Sequence, residues 1–440
     1  MILHRMGNIP QFVIAAPSSG AGKTTVAHGL MSLLRGHGLA VQPFKCGPDY
    51  IDTKFHTTVC GRPSVNLDLF MAGEGHVRAL YGHYSAGADV CVVEGMMGMY
   101  DGYDRSCGST ADIGRVLGLP VVLVADARSA AYSLAPLLYG FTRFDSSVTV
   151  AGVIFNKVGS ERHRQMLSRV CSDLGIECFG FLPRRASGGH PSRYLGLDFS
   201  VGAADDVTAA IADNIDWRRL LAAVSRPCPE KVLPWSGLPS TGGNIVVARS
   251  AEAFSFLYQE HIDMLRAMGR VTVLDPESDE PLPADTSLLY LPGGYPENRA
   301  AELSAARRTI NSIRAYAGRG GRVLAECGGM MYLCRSIATD DGVHEMAGVL
   351  PHDITARTAD RCLSLGYRRF ALAGRTVSGH EFHYSQFAGG EPQGITQVYN
   401  AAGEPVSSAI LRTGNVIAGY THVYWGGEIA PTDFFGAVDE

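Results

Sequence analysis

The chain has 440 residues, 46% of them hydrophobic, which at roughly 150 residues per domain suggests two or three domains and excludes a disordered or fibrous protein. Its 38 lysines and arginines stand against 43 aspartates and glutamates, a near-neutral balance that speaks against a nucleic-acid binder relying on a broad basic surface. No apolar run reaches the roughly 18 to 20 residues of a membrane span, and the ten cysteines include no CxxC pair, so a cytoplasmic protein with free thiols and no membrane partner is expected.

In chain order, β-branched runs at 12–16, 40–44, 90–94, 121–125 and 150–155 read as strands, and the amphipathic segments 26–36, 75–85 and 161–174 between them as helices. That alternation predicts a parallel sheet covered on both faces. Residues 226–243 are rich in proline and glycine and read as a linker between a domain at 1–225 and a second at 244–440. The alternation then restarts with strand 245–248, helix 252–268, strands 271–274 and 288–291, helix 300–317 and strand 322–325. The fold class is therefore α/β in two domains.

Directly after the first strand come Pro17, Ser18, Ser19, Gly20, Ala21, Gly22, Lys23, Thr24 and Thr25, with a helix following at once. Strand, glycine loop, Gly-Lys-Thr and helix form the setting in which backbone N–H groups cradle phosphates, Lys23 reaches the β/γ-phosphates of ATP and the Thr24 hydroxyl ligates Mg²⁺. Pro17 stands where the usual first glycine would be. Glu94 ends the third strand, 90–94, and Asp49 lies just past the second, so either could hold Mg²⁺ at the carboxyl edge of the sheet. Asp101 is a candidate to orient substrate, although a surface-loop aspartate is the plainer reading for it and for Asp52. Asn156, closing the fifth strand, suits an adenine contact or a loop cap equally.

In the second domain, the strand at 322–325 turns through Glu326, Cys327, Gly328 and Gly329 into a helix. This is the nucleophile-elbow layout with Ala325 for its first glycine, and it predicts an exposed thiol whose pKa a helix N-terminus lowers. Upstream, the strand ending at Leu291 runs into Gly293 and Gly294, whose N–H groups could form an oxyanion hole. The activating base is His422 or His383, which spacing alone does not separate; His380 and His383 are not spaced as HExxH, so a zinc site is unsupported.

These residues bring a family into view. From the phosphate loop through 45–52, 92–102, LPGGYPE at 291–297, AECGGMMYL at 325–333, GHEFHYS at 379–385 and AGYTHVYW at 418–425, the chain resembles the cobyrinic acid a,c-diamide synthases of corrinoid biosynthesis, in order and over nearly its whole length. The resemblance implies a dethiobiotin-synthetase-like ATPase domain joined to a flavodoxin-like class I glutamine amidotransferase domain. It places the glutaminase nucleophile at Cys327 and its histidine at His422, with Tyr424 where most class I amidotransferases carry glutamate. It also places Asp49, Tyr50, Glu94 and Asp101 in the ATP, Mg²⁺ and corrinoid region, and Lys45 where that fold keeps a phosphate- or carboxylate-binding lysine. Residues 47–52 favour the a,c-diamide branch over cobyric acid synthase.

The implied partners are ATP, L-glutamine and cobyrinic acid or a related tetrapyrrole, either hydrogenobyrinic acid or nickel-sirohydrochlorin; the oligomeric state stays open, a homodimer among the options. A many-carboxylate ring calls for local cations, and Arg184, Arg185, His190 and Arg193 in the loop 183–194 are candidates. A P-loop switch with a non-catalytic second domain is the reading from another class, and it leaves Cys327, Gly293, Gly294 and His422 unexplained.

Overall fold

A computed structural model describes residues 7–184, 201–427 and 429–436, with residues 201–205 described by backbone alone. Arg185, His190 and Arg193 lie outside the described residues. The chain divides into two units, Met1–Pro234 and Trp235–Glu440.

The first unit runs β1 (Asn8–Ala15), α1 (Lys23–Gly36), β2 (Val41–Cys46), α2 (Asp52–Cys60), β3 (Val65–Leu67), α3 (Gly73–Ser85), β4 (Val90–Glu94), α4 (Thr110–Leu117), β5 (Val121–Asp126), α5 (Leu134–Arg143), β6 (Val150–Val158), α6 (Glu161–Leu174), β7 (Cys178–Pro183), α7 (Val201–Asn214), α8 (Trp217–Ala223) and β8 (Ser225–Pro227). Strands β3-β2-β4-β1-β5-β6-β7 lie side by side, all parallel, and β8 joins β1 antiparallel. Arg226 and Pro227, expected in the linker, therefore belong to this sheet, where they pair with Ile9 and Asn8. Phe12, Ile14, Val92, Val122, Val124 and Ile154 are almost fully buried under α1 and α7, as strands covered on both faces require. Because β1 has β4 on one side and β5 on the other, the loop after β1 opens at the point where the winding of the sheet reverses, the usual place for a ligand.

The second unit is built on a six-stranded sheet. Its strands are β9 (Asn244–Ala248), β10 (Arg270–Leu274), β11 (Thr286–Leu291) and β12 (Val323–Glu326), followed late in the chain by Ile410–Thr413 and Val416–Gly419, in the order β10-β9-β11-β12, Val416–Gly419, Ile410–Thr413. The pairings are parallel except at the last strand. Helices α9 (Gln259–Met268), α10 (Ala300–Ala305), α11 (Arg307–Gly318) and α12 (Gly328–Leu333) flank it. The helix expected at 252–268 begins only at Gln259, because the N–H groups of Ser255 and Phe256 both go to the Gly293 carbonyl instead of into a helix. The helix expected at 300–317 is broken at Ala306, whose ψ of 65° is not helical. Beyond α12 the chain also forms two small, largely antiparallel sheets that the periodicity did not announce, the second of which takes in His422–Tyr424 beside Arg375–His383. Among the described residues no helix is long and apolar enough to cross a membrane, and all ten cysteines are free of disulfides.

Candidate functional site

Each unit carries one site at the carboxyl edge of its parallel strands. In the first, Gly22 sits at φ 106°, and a Cβ there would stand 2.1 Å from the Asn156 side chain. Only glycine fits, which is how α1 can start directly behind the loop. Asn156 donates to the Ala21 carbonyl (2.9 Å) and Lys157 to the Gly20 carbonyl (2.9 Å) while bonding Asp126 (2.6 Å). The end of β6 thus braces the loop through Asn156 and Lys157. Ser19 and Gly20 are exposed and Thr25 half-buried. The Lys23 ammonium folds back onto the carbonyls of Ser18 and Met97, and burial, with the nearby Lys45, holds its pKa below the usual lysine value.

Beneath the loop the carboxylate expectations separate. Glu94 is fully buried and accepts from Thr24 Oγ1 (2.7 Å), Lys45 Nζ (3.0 Å) and His56 Nε2 (2.6 Å). Lys45 and Glu94 are direct partners across β2 and β4. The same ammonium reaches Asp52 Oδ2 at 2.5 Å and Asp49 Oδ2 at 4.0 Å. Lys45, expected to touch substrate, therefore binds protein carboxylates, because its strand register delivers it to Glu94. Charge pairing and hydrogen bonding hold Glu94 well below the ordinary carboxylate range despite burial, whereas burial beside Glu94 lifts Asp52 to about 6.

Asp49 is the local organiser of the turn: its Oδ1 accepts from the N–H groups of Ile51 (2.8 Å) and Asp52 (2.9 Å) where α2 begins, and Tyr50 beside it is mostly buried. Asp101 accepts from the Gly98 N–H (2.8 Å) and so shapes its own loop. Asp52, for which the sequence favoured a surface loop, is instead drawn onto Lys45, and His56, one helical turn further along α2, escaped notice; their i, i+4 spacing just after Asp49 was the available signal.

In the second unit, β12 delivers Cys327 at φ 46°, the strained corner expected of a nucleophile elbow. Its N–H goes to the Gly419 carbonyl (2.7 Å), tying the corner to the neighbouring strand Val416–Gly419, which leads to His422 three residues on. The glycine turn after β11 bridges the two. A Cβ on Gly293 would lie 2.1 Å from His422 Cε1, and the Gly294 N–H bonds the Cys327 thiol. The Gly328 N–H is a second backbone donor to the thiol, and the Gly293 carbonyl accepts from Ser255 (2.9 Å) and Phe256 (3.0 Å). Gly329 has no room for a side chain either, since a Cβ would stand 2.0 Å from the Leu291 carbonyl.

Two expectations about the thiol change. Cys327 is 3% exposed, and burial, with Glu297 and Glu381 adding negative charge, pushes its pKa well above the usual thiol value against the two backbone donors. His422 is buried as well, and desolvation with His380 and His383 lowers it to about 3, so its ring is neutral at pH 7. His383 is differently engaged: Nδ1 meets the Ser385 carbonyl (2.9 Å) and the ring stacks on Tyr420 at 3.7 Å. Tyr424 donates its hydroxyl to Glu260. Glu381, unremarked in the sequence, accepts from Arg368 (2.8 Å) and from Thr421 (2.6 Å), and so fixes the residue that precedes His422.

Residues 12–189 match the CobQ/CobB/MinD/ParA nucleotide binding domain, and residues 244–429 the CobB/CobQ-like glutamine amidotransferase domain. Hydrogenobyrinate a,c-diamide synthase of Mycobacterium tuberculosis H37Rv is 41% identical over 397 residues, covering 84% of this chain and 85% of that protein. Cobyrinate a,c-diamide synthase of Gloeobacter violaceus is 40% identical over 437 residues, covering 94% and 93%. Hydrogenobyrinate a,c-diamide synthase of Streptomyces coelicolor is 38% identical, covering 96% and 95%.

Proposed function

We infer the reaction from one premise: the chain belongs to the family of the cobyrinate and hydrogenobyrinate a,c-diamide synthases, with a nucleotide-binding and a glutamine amidotransferase domain. Its reaction is the ATP- and glutamine-dependent amidation of two acetate carboxylates, a and c, on a cobyrinate-type tetrapyrrole. The observation that carries this reading is that one chain holds both a phosphate loop packed over Glu94 and a strained Cys327 flanked by two backbone donors and His422.

A carboxylate does not condense with ammonia in water, because it is a poor electrophile and its oxygen a poor leaving group. Transfer of the γ-phosphoryl group from ATP removes both obstacles by making an acyl phosphate and ADP. Lys23 and the loop N–H groups hold the phosphates and stabilise the transferring charge. Thr24 Oγ1, Glu94, Asp52 and Asp49 are the oxygen donors that would hold Mg²⁺, three carboxylates against the single Lys45 ammonium that now pairs with Glu94 and Asp52. When bound there, Mg²⁺ would neutralise charge on the β- and γ-phosphates.

In the amidotransferase domain the Cys327 sulfur attacks the glutamine carboxamide carbon while His422 takes the thiol proton. The Gly294 and Gly328 N–H groups face the developing oxyanion, as the second amide of an elbow does. His422 returns the proton to the departing nitrogen, ammonia leaves, and water hydrolyses the thioester to glutamate. Ammonia then displaces phosphate from the acyl phosphate. Ten free thiols and the use of ATP and glutamine favour the cytoplasm as its place of work.

The test is glutamine-stimulated ATP turnover with cobyrinic acid, hydrogenobyrinic acid and nickel-sirohydrochlorin in parallel, with product masses read for each. Two amidations of a corrinoid support the reading. ATP turnover indifferent to glutamine and to every tetrapyrrole would leave the switch protein as the better account.

A further inference from the structure

The glycine turn that serves Cys327 does not stop at Gly294. It continues through Tyr295 into a 3-10 turn, Pro296–Arg299, and carries Glu297 into the same site. Pro296 is pressed against Gly328, the residue after the nucleophile: a Cβ on Gly328 would stand 2.8 Å from Pro296 Cδ and 2.9 Å from the Gly294 carbonyl. Glu297 is therefore laid directly beside the elbow. Its Oε2 is shut off from solvent and has no hydrogen-bond partner among the described residues. Its own backbone N–H bonds the carboxylate, and Arg361 acts on it only through space. Burial lifts it to about 7, and after burial it is the largest influence raising the Cys327 thiol.

A shielded carboxylate oxygen left without a donor is costly. None of the chemistry above uses it: a negative charge next to the thiol opposes thiolate formation, so it does not serve the nucleophile. What it lacks is a donor, ideally a cationic one, brought in by a ligand whose far end reaches Cys327. Glutamine has that form, with a carboxamide at one end and an α-ammonium at the other.

We propose that Glu297 receives the α-ammonium of glutamine on Oε2 and is a specificity-determining residue of the glutaminase site. The proposal rests on the glutaminase reading and adds the recognition element to it. A bound ammonium also screens the Glu297 charge from the thiol, so the substrate removes one of the influences that keep Cys327 protonated.

The experiment is steady-state hydrolysis of glutamine and of glutaramate, which is glutamine without its α-amino group, by wild type, Glu297→Gln and Glu297→Asp, with thermal midpoints taken to show that each variant is folded. In Glu297→Gln the KM for glutamine rises about 10- to 100-fold, the worth of a charge-assisted hydrogen bond. Its kcat changes little, the KM for glutaramate does not rise, and Glu297→Asp, which keeps the charge, recovers part of the loss. The proposal is overturned if wild type takes glutaramate as well as glutamine, if both KM values rise together, or if kcat falls at constant KM, which would make Glu297 a partner of the thiol. Failure of the underlying reading looks different: wild type would make amide from ammonium salts and hydrolyse neither compound.

Discussion

Gly293→Ala tests the geometry of the glutaminase site with a single methyl group. Gly293 does not have a positive φ, so the backbone accepts alanine, and its carbonyl bonds to Ser255 and Phe256 survive the change. The new Cβ would lie 2.1 Å from Cε1 and 2.9 Å from Nδ1 of His422. Carbon atoms rest at roughly 3.5 Å, so the ring must retreat by about 1.4 Å. Neither partner is free to give way: His422 is almost fully buried, paired through its backbone to His380 across the sheet, and packed on Phe256 with ring centres 5.8 Å apart. A misplacement of about 1 Å in a catalytic group costs on the order of 100-fold, close to 3 kcal/mol of barrier. Glutamine hydrolysis and glutamine-driven amidation should both fall by about that factor, while amidation driven by ammonium salts, followed by product mass, should hold within a few-fold. Equal loss of both activities, or glutaminase activity near that of wild type, would refute the proposed seating of His422 against the glycine turn.

Cys327→Ala and His422→Ala should likewise lose glutamine-driven amidation and keep the ammonium-driven reaction, whereas Lys23→Ala should lose both, since ammonia cannot replace the acyl phosphate; retention of ammonium-driven product in Lys23→Ala would sink the phosphate-loop role. His56→Ala strips Glu94 Oε2 of its 2.6 Å partner in a fully buried site and should cost about 1–3 kcal/mol of stability, visible as a lower thermal midpoint, with turnover falling for either nitrogen source; an unchanged midpoint would contradict the network. Glu326, just before the nucleophile, accepts from Tyr290 (2.9 Å) and is raised by burial to about 8. Its folded form holds a proton that the unfolded chain gives up near pH 4.5, so wild type loses stability relative to Glu326→Gln as pH rises from about 4.5 to about 8, by on the order of 5 kcal/mol at most, and no further above that. A difference in midpoint that is flat with pH would show that Glu326 is ionised in the fold.

The parts of these sites that could be read from the chain are those made by neighbours in sequence. Gly20, Gly22, Lys23 and Thr24 lie within five residues at the end of a strand, and Ala325 to Gly329 build the elbow in the same local way. What escaped depends on register and packing. That Lys45 faces Glu94 is a fact of β2 lying beside β4, and that His56 reaches the same carboxylate depends on how α2 packs, 38 residues away in sequence. The Gly328 donor was within reach, since an elbow offers the amide that follows its nucleophile, but two glycines upstream made a more visible pair. The break at 252–258 follows from a carbonyl on Gly293 that no periodicity displays. Glu381 was passed over because its role runs through Thr421, forty positions on.

The exchange at position 424 has a physical consequence for the resting enzyme. A carboxylate two residues after the histidine would favour the imidazolium and, through it, the thiolate. Here Tyr424 gives its hydroxyl to Glu260, so that position supplies no negative charge to His422. Burial is what chiefly lowers His422, to a pKa of about 3, and the neighbouring His380 and His383 push it the same way. Cys327 is shifted the opposite way by burial, Glu297 and Glu381. A thiol held up and an imidazole held down form a neutral pair at pH 7, and proton transfer between them must then be driven by what arrives with substrate. The Gly294 and Gly328 N–H groups already point at the sulfur, and a cation beside Glu297 would remove the next largest opposition. A nucleophile held this way would be switched on by occupancy of its own site rather than kept as a standing thiolate, and a buried, protonated thiol is spared the oxidation that exposed low-pKa thiols undergo.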